Sequence, residues 1–169
     1  MRNPTQLVPR GEYLFPSKVK EELSRMEQVE IISKVDEPTE WCAGMVVVPN
    51  ANGKVRICLD LTKINESILR EYHPLPSVDY ILAQLAGATV FSKLDADSGF
   101  WQIGLSPESA KLTTFIAPLS RFCFNRLPFG ISSAPEHFQK RILQVLEGID
   151  GALCLMDDIL VYEIGRAHV

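Results

Sequence analysis

The sequence CLMDDILVY, residues 154–162, has two adjacent acidic residues between two short apolar runs. The apolar runs are typical of β-strands, and the acidic pair between them indicates the turn of a hairpin. One interpretation is structural: Asp157 and Asp158 form the turn and keep it solvated, as Asp commonly does. The other is that the hairpin holds two carboxylates close together for chemistry. The choice depends on whether other acidic residues are brought to the same hairpin.

A second apolar run also ends in an acidic residue. The sequence FSKLDADSGF, residues 91–100, is strand-like as far as Asp95, and turn residues and an aromatic ring follow. Two such strands side by side would bring like charges together, which is costly unless a divalent cation neutralises them. Carboxylate ligands suit Mg²⁺ or Mn²⁺, with substrate phosphates completing the octahedron. The two stretches together therefore predict a phosphoryl-transfer site.

Composition narrows the class of protein. With 169 residues, 46% of them hydrophobic, the chain has the length of one domain and enough apolar side chains to form a core. We expect neither a signal peptide nor a membrane span. The four cysteines are widely scattered without metal-ligand spacing, which predicts reduced thiols in an intracellular protein that is not secreted.

The charge pattern leaves the partner open. A net charge of −4 argues weakly against a nucleic-acid partner, because binding to phosphates needs clustered Lys and Arg. The first two thirds of the chain nevertheless have a local density of basic residues: Lys18, Lys20, Lys34, Lys54, Arg56, Lys63, Arg70 and Lys93. These residues form either solvated helix and strand faces or a surface for phosphates.

Hydrophobic periodicity predicts an α+β fold with an antiparallel sheet backed by helices. After an extended arm, a helix is expected to begin at Pro16, with an apolar stripe made of Val19, Leu23, Met26 and Val29. Two strand-like runs, residues 44–49 and 54–60, are separated by a turn that contains Asn-Gly, which predicts a hairpin. In the second run Lys54 and Arg56 share one face. That face is either an ordinary charged surface or a grip for a triphosphate.

Two further helices are predicted from their caps. Ser77 is expected to cap the first, in which an apolar stripe predicts core packing: Val78, Ile81, Leu82 and Leu85. Ser133 and Glu136 form a capping-box pattern for the second, with Pro135 in its first turn. Additional strands are predicted over residues 89–95, 100–105, 111–117 and 121–127.

Five ordered motifs resemble one known family, the reverse transcriptases of long-terminal-repeat retroelements, in particular those of the Ty3/gypsy type. The motifs are VRICLDL (55–61) with Asn65, YHPLP (72–76), residues 91–103, FNRLPFGISSAP (124–135) and the Asp157–Asp158 hairpin. The resemblance covers about residues 8–162. It implies right-hand polymerase fingers at about 1–70 and 104–133, and a partial palm at about 71–103 and 134–162. It also implies RNA-directed DNA synthesis, by two-metal nucleotidyl transfer from a dNTP to a primer 3′-hydroxyl on an RNA or DNA template.

The resemblance implies a function for each matching residue. The catalytic and metal-binding residues would be Asp95, Asp157 and Asp158, joined by the backbone carbonyl of Ala96, and they would bind two Mg²⁺ ions, for which Mn²⁺ could substitute. The dNTP would be bound by Lys54, Arg56, Ser98, Gly99, Phe100, Phe129 and Gly130. Primer and template would contact Asn65, Pro135, Leu155 and Met156.

Three of these expectations are more specific. Arg56 matches the position that clamps the triphosphate, and Phe100 matches the ring that excludes a ribose 2′-hydroxyl. Asp158 is expected to ligate metal less directly than Asp157, because successive strand side chains point apart. One departure from the family concerns Leu155, which stands where Tyr is commonest and offers no hydroxyl to the primer.

The chain also departs from the family in extent. The thumb, connection, RNase H, integrase and protease segments are expected to be absent, which predicts weak or no processive synthesis by this chain alone. Residues 163–169, EIGRAHV, are expected to be a non-native tail. This heptapeptide is what the string GAGATCGGAAGAGCACACGTC encodes, and most of that string resembles a common sequencing adapter.

The expected partners are an RNA template, a DNA primer, dNTPs and the rest of a Pol polyprotein, with no membrane partner. The expected location is the cytoplasm, in a virus-like particle, or the nucleus. The alternative is a truncated, inactive retroelement remnant that only folds or binds nucleic acid. A third interpretation, an unrelated binding protein with an acidic hairpin, is disfavoured by the five motifs taken together.

Overall fold

The structure is a computed structural model that describes residues 16–51, 53–69, 76–118, 120–155 and 158–164. The predicted N-terminal arm, most of the YHPLP motif and the last five residues of the tail lie outside this part. Its contacts divide the chain into two units. Unit 1 comprises Met1–Ile68 and Phe100–Ser132, and unit 2 comprises Leu69–Gly99 and Ser133–Val169.

The described elements alternate between short helices and short strands. In chain order they are α1 (Pro16–Gln28), β1 (Ile32–Lys34), β2 (Met45–Pro49), β3 (Val55–Leu59), α2 (Thr62–Ser67), α3 (Val78–Gln84), β4 (Ala88–Asp95), α4 (Pro107–Leu112), β5 (Phe115–Ala117), β6 (Ser120–Phe124), α5 (Ala134–Val145), β7 (Ala152–Leu155) and β8 (Asp158–Ile164). All pairings within the sheets are antiparallel, in the orders β1-β6-β5, β2-β3 and β4-β8-β7. None of the described helices is long and apolar enough to cross a membrane.

Helix α1 packs its predicted apolar stripe into the core of unit 1. Val19, Leu23 and Met26 are all buried. The prediction that Val29 is the fourth member of the stripe is wrong, because Val29 follows the end of the helix and is 52% exposed. The chain leaves the helical path after Gln28, through a turn in which Glu30 has a φ of 57°, so the helical spacing no longer determines which side chains face the core.

The β2–β3 hairpin confirms the prediction made from the Asn-Gly turn. Val47 pairs with Ile57 in the antiparallel register, and both side chains are buried. Arg56, between the buried Val55 and Ile57, is exposed. The alternation follows from the two-residue period of a strand, and it places the basic side chain on the outer face.

The region between residues 100 and 127 differs from the prediction. A 3₁₀ helix occupies Gly99–Gln102, where a strand was predicted. Residues 107–112 form α4, so the predicted strand over 111–117 is reduced to β5. The Ser106 hydroxyl accepts a hydrogen bond from the Ser109 amide, with Pro at the start of the helix. This N-cap favours helix over strand.

In unit 2, α3 begins as predicted but does not pack as predicted. Ser77 caps it by accepting from the Tyr80 amide at 3.2 Å. The stripe expected in the core is not buried by the described residues, since Val78 is 68% and Leu82 is 61% exposed. Ile81 and Leu85 are half-buried. Helical periodicity predicted a common face correctly, but it could not say whether another element covers that face.

Helix α5 begins at Ala134, close to the predicted position, but without the predicted capping box. The Ser133 side chain makes no capping hydrogen bond. The backbone of Ser133 has φ −94° and ψ 2°, whereas a capping hydroxyl is normally presented from extended backbone. The buried face of α5 includes Phe138 and Gln139, and this face packs against β7.

Candidate functional site

The two acidic stretches meet in the sheet of unit 2. Asp95, the last residue of β4, is the direct antiparallel partner of Asp158, the first residue of β8. Directly opposite residues extend their side chains from the same face of a sheet, with Cβ atoms about 4.5–5.5 Å apart. The structure therefore brings these two carboxylates together, although they are far apart in sequence. Asp157 and Met156 lie outside the described residues.

A lysine shares this acidic face. The Lys93 Nζ lies 2.8 Å from Asp158 Oδ2. Lys93 precedes Asp95 by two residues along β4, so both side chains extend from the same face. The side chain of Asp158 is 44% exposed and that of Lys93 is 65% exposed. The site is thus open to solvent and contains charges of both signs.

The donor set suits a hard divalent cation, because carboxylate oxygens are the ligands that Mg²⁺ and Mn²⁺ prefer. Two such groups, Asp95 and Asp158, lie side by side in the described residues. No group of three or more His, Cys, Asp or Glu that could hold a metal ion occurs among those residues, to which Asp157 does not belong.

The turn after β4 is tight and internally bonded. The Ala96 carbonyl accepts a hydrogen bond from the Gly99 amide at 3.0 Å, and its second lone pair is available to another partner. Ser98 has a φ of 51°, in the left-handed region that few residues other than glycine adopt. A Cβ atom on Gly99 would lie 2.8 Å from Phe138 Cζ. Packing against α5 therefore requires glycine there, whatever this residue does for a nucleotide.

A buried glutamine, which the sequence reasoning missed, supports the acidic hairpin. Gln139 is fully buried, and its Nε2 donates to the Cys154 carbonyl at 2.9 Å. Cys154 belongs to β7, whose next residue, Leu155, is the partner of Asp158. The hydrogen bond therefore fixes α5 to β7, the strand that pairs with the start of β8. Its only sequence signal was a polar residue next to Phe138 in the apolar stripe of α5.

In unit 1 the predicted aromatic residues form a cluster. The Phe100 and Phe129 rings have centroids 5.1 Å apart and are tilted by 45°. Trp101 meets Phe129 edge-on at 5.8 Å, and the Arg25 guanidinium lies 6.0 Å from the centre of the Trp101 ring. Phe129 remains 38% exposed. The structure thus brings together two predicted nucleotide contacts, Phe100 and Phe129.

Asn65 positions the loop that contains Phe129. Its Nδ2 donates to the Gly130 carbonyl at 2.8 Å, and its Oδ1 accepts from the Ser132 amide at 2.9 Å. Gly130 has a φ of 99°, so glycine is favoured at this turn. These bonds give Asn65 a structural explanation that is independent of the predicted contact with primer or template.

The predicted triphosphate-binding residues lie on and beside β3 of unit 1. Lys54 and Arg56 are exposed. Cys58 shares the face of Arg56; burial raises the pKa of this thiol, while the nearby Arg56 guanidinium lowers it by less. All four cysteines are free, and burial raises the pKa of Cys42 and Cys123 as well. At neutral pH these three thiols are therefore held in the protonated form.

The remaining predicted contacts belong to unit 2. Pro135 lies in the first turn of α5 and is half-buried, and Leu155, the last residue of β7, is 38% exposed. Ser98 and Gly99 belong to the turn after β4. The predicted site residues are thus grouped within each unit: the acidic residues in unit 2, and the basic and aromatic residues in unit 1.

Comparison with known proteins agrees with the family resemblance of the sequence motifs. Residues 48–168 match the family described as "Reverse transcriptase (RNA-dependent DNA polymerase)". The "Retrovirus-related Pol polyprotein from transposon 412" of Drosophila melanogaster is 34% identical over 167 residues, which is 93% of this chain and 14% of that protein. The "Enzymatic polyprotein" of Figwort mosaic virus is 38% identical over 111 residues, which is 65% of this chain and 17% of that protein. The chain therefore spans less than a fifth of these relatives.

Solved structures confirm the fold. The protease–reverse transcriptase of prototype foamy virus superposes with a TM-score of 0.83 at 22% identity, and the match covers 96% of this chain and 21% of that one. The prediction of an α+β fold of the right-hand polymerase type is confirmed by this match. The sequence relatives include both a virus polyprotein and a transposon polyprotein, so the similarity does not single out one subtype of the family.

Proposed function

The chain belongs to the reverse transcriptase family, and from that premise we propose that it carries the catalytic carboxylates of an RNA-directed DNA polymerase. The observation that supports this most directly is the pairing of Asp95 with Asp158 across β4 and β8. In the proposed reaction the primer 3′-oxygen attacks the α-phosphorus of a dNTP, and pyrophosphate leaves in line. The template would be RNA or DNA.

Asp95, Asp157 and Asp158 would hold the divalent ions that this reaction needs, with the Ala96 carbonyl as a further oxygen ligand. When bound, two Mg²⁺ ions, or Mn²⁺ in their place, would make the primer hydroxyl more acidic and neutralise the charge on the leaving pyrophosphate. The chain's own contribution is positioning, because an in-line displacement gains most from fixed geometry and charge neutralisation. The pairing of β4 with β8 supports this by fixing the separation of two of the carboxylates.

The nucleotide-binding residues follow from the same proposal. Lys54 and Arg56, exposed on one hairpin, would attract the triphosphate. Phe100 would lie beneath the sugar and exclude a ribose 2′-hydroxyl, with Phe129 and Gly130 beside the nucleotide. The backbone of Ser98 and Gly99 would face the phosphates. Primer and template would contact Asn65, Pro135, Leu155 and Met156.

The wider assignment follows the resemblance. We propose an element of the Ty3/gypsy type, with fingers and partial palm at the boundaries predicted above. The partners would be an RNA template, a DNA primer, dNTPs and the RNase H and integrase parts of a Pol polyprotein. The structural neighbours include foamy viral protease–reverse transcriptases solved in complex with double-stranded DNA and with an RNA/DNA hybrid, which supports these substrates. The location would be a cytoplasmic virus-like particle or the nucleus.

Calorimetric titration of the purified chain with Mg²⁺ and Mn²⁺ tests the proposal. We expect saturable binding that is lost in Asp95→Asn and in Asp157→Asn. Asp79→Asn, which changes an exposed acid of the same unit on α3, is the matched control and should bind normally. In the same samples, addition of one dNTP to a primed RNA template should require Asp95.

The second candidate is an inactive retroelement remnant that only folds or binds nucleic acid. It predicts that the wild-type chain binds neither ion in a manner sensitive to Asp157→Asn and adds no nucleotide. Long products from the chain alone would contradict the expectation of weak synthesis and would favour a complete catalytic unit.

A further inference from the structure

We propose that Lys93 is a positioning residue of the acidic site, and that its ammonium group competes with divalent cations for the Asp158 carboxylate. The inference rests on the proposed function, because it concerns the same carboxylates. It starts from the 2.8 Å contact between Lys93 Nζ and Asp158 Oδ2. Lys93 belongs to the motif over residues 91–103, but the family resemblance implies no function for it.

The register of the sheet explains why these side chains meet. Lys93 pairs with Leu160, and Asp95 pairs with Asp158. Lys93 is therefore the diagonal neighbour of Asp158 on the same face, within reach of a long side chain. Asp158 has an acid directly opposite and an ammonium group diagonal to it. Three charged groups thus share one patch of the sheet.

An exposed ion pair by itself has little effect, because water screens the charges. The Lys34–Glu27 pair, at 3.3 Å with side chains 56% and 39% exposed, is an ordinary example in unit 1. The Lys93–Asp158 pair has similar exposure, at 65% and 44%, but its acid faces a second acid. Removing Lys93 would leave two like charges directly opposite each other, an arrangement that destabilises a sheet.

Lys93 weakens the binding of divalent cations in two ways. Lys93 lowers the repulsion between the acids when no metal is bound, so a metal ion gains less by neutralising them. Its positive charge also repels an incoming divalent ion at close range. Lys93 therefore makes the metal-free site more stable and makes divalent binding weaker than the carboxylates alone would give.

Titration calorimetry with Mg²⁺ and with Mn²⁺ tests the inference on the full chain. Lys93→Met should lower the Kd by about three- to tenfold, the size expected for one charge acting on a divalent ion across a few ångströms of hydrated protein. Lys93→Arg should bind like the wild type, since the charge is retained. Lys34→Met, which breaks the exposed ion pair of unit 1, controls for net charge and should leave the Kd unchanged.

A double variant tests whether the effect passes through Asp158. In the Asp158→Asn background, Lys93→Met should lower the Kd by clearly less than it does in the wild-type background, because only the direct charge repulsion remains and non-additivity reveals coupled residues. In EDTA, Lys93→Met should also melt at a lower temperature than the wild type, and millimolar Mg²⁺ should restore it. Lys93→Gln serves as a second neutral variant, and a neutral variant that folds only with Mg²⁺ would support the inference.

The outcomes separate this inference from the proposed function. A folded Lys93→Met chain with the wild-type Kd would overturn the inference, as would full tightening in the Asp158→Asn background. If the wild type binds neither ion in a manner sensitive to Asp157→Asn, the proposed function fails instead. Tightening in Lys34→Met equal to that in Lys93→Met would reduce the effect to net charge and would also overturn it.

Discussion

In unit 1, Met26 and Phe115 are fully buried, whereas in unit 2 the apolar side chains of β4 stay largely exposed. Val90 is 58% exposed and Leu94 is 52% exposed. The comparison indicates that unit 1 is stabilised by burial of apolar area, which scales with the surface removed from water. The described sheet of unit 2 depends on fewer buried contacts, chiefly those of α5 with β7. Regions with few buried contacts open most readily.

The largest expected effect is on the core of unit 1. Phe115→Ala should lower the free energy of unfolding by about 3–5 kcal/mol, because it leaves a cavity among stacked rings. The Phe115 ring lies 5.9 Å from the Phe122 ring and 5.7 Å from the Phe124 ring. Val90→Ala in β4 is the control, and urea denaturation should show a loss of less than about 1 kcal/mol. Equal losses of stability in Phe115→Ala and Val90→Ala would contradict the difference in burial between the two units.

Gly99→Ala tests the contact between the turn after β4 and α5 in unit 2. The added methyl group would clash with the Phe138 ring, and overpacking of this kind costs about 1–3 kcal/mol. Gly104→Ala is the matched control, because the nearest atom to its added Cβ would be Arg126 Nη1 at 3.9 Å. Combining Gly99→Ala with Phe138→Leu should recover part of the loss in thermal denaturation. If Phe138→Leu recovers none of the lost stability, the destabilisation by Gly99→Ala does not arise from a clash with the Phe138 ring.

Gln139→Leu should loosen β7 without affecting unit 1. The substitution leaves the Cys154 carbonyl without its buried donor, which costs about 1–3 kcal/mol. Hydrogen exchange read by mass spectrometry should show faster exchange in β7 and β8 and unchanged exchange in β2 and β3. Gln144→Leu, at an exposed position of the same helix, is the control. Uniform acceleration across both units would mean that they unfold together.

The smallest expected effect concerns pH and the thiols of unit 1. Burial raises the pKa of Cys58 above its ordinary value of 9.0, so the folded state favours the neutral thiol. This contribution to stability is present below pH 9 and is lost as pH rises through the folded pKa. Cys58→Ser should make the urea midpoint fall less steeply as pH rises above 9. A fall that is unchanged in the variant would exclude Cys58 as its source.

Local patterns predicted the elements whose signals are local. The β2–β3 hairpin and the start of α1 followed from turn chemistry and periodicity. The pairing of β4 with β8 agrees with the expectation that two acidic strand ends lie side by side. The α4 cap at Ser106 was equally local and was overlooked. Patterns of this kind give the conformation of a segment but not what covers it, which is why the burial of α3 was predicted wrongly.

Long-range polar contacts were not predictable in the same way. Asn65 bonds a loop 65 to 67 residues away, and Gln139 bonds a strand 15 residues away. An amide side chain has no periodicity that points to its partner. The structural contribution of both residues is visible only in the fold, which places a backbone carbonyl within 3 Å of each side chain. The Lys93–Asp158 contact arises likewise from sheet register.

In the strand order β4-β8-β7, β4 is an edge strand of the described sheet. A long edge strand with apolar side chains can pair with a strand of another molecule. Proteins usually prevent this with charged side chains on the edge strand or with a segment that covers it. On the solvent-exposed β4, Lys93 is the one basic side chain among eight residues. Purified preparations of this chain should consequently self-associate as concentration rises, and a second lysine in place of Val90 should keep them monomeric.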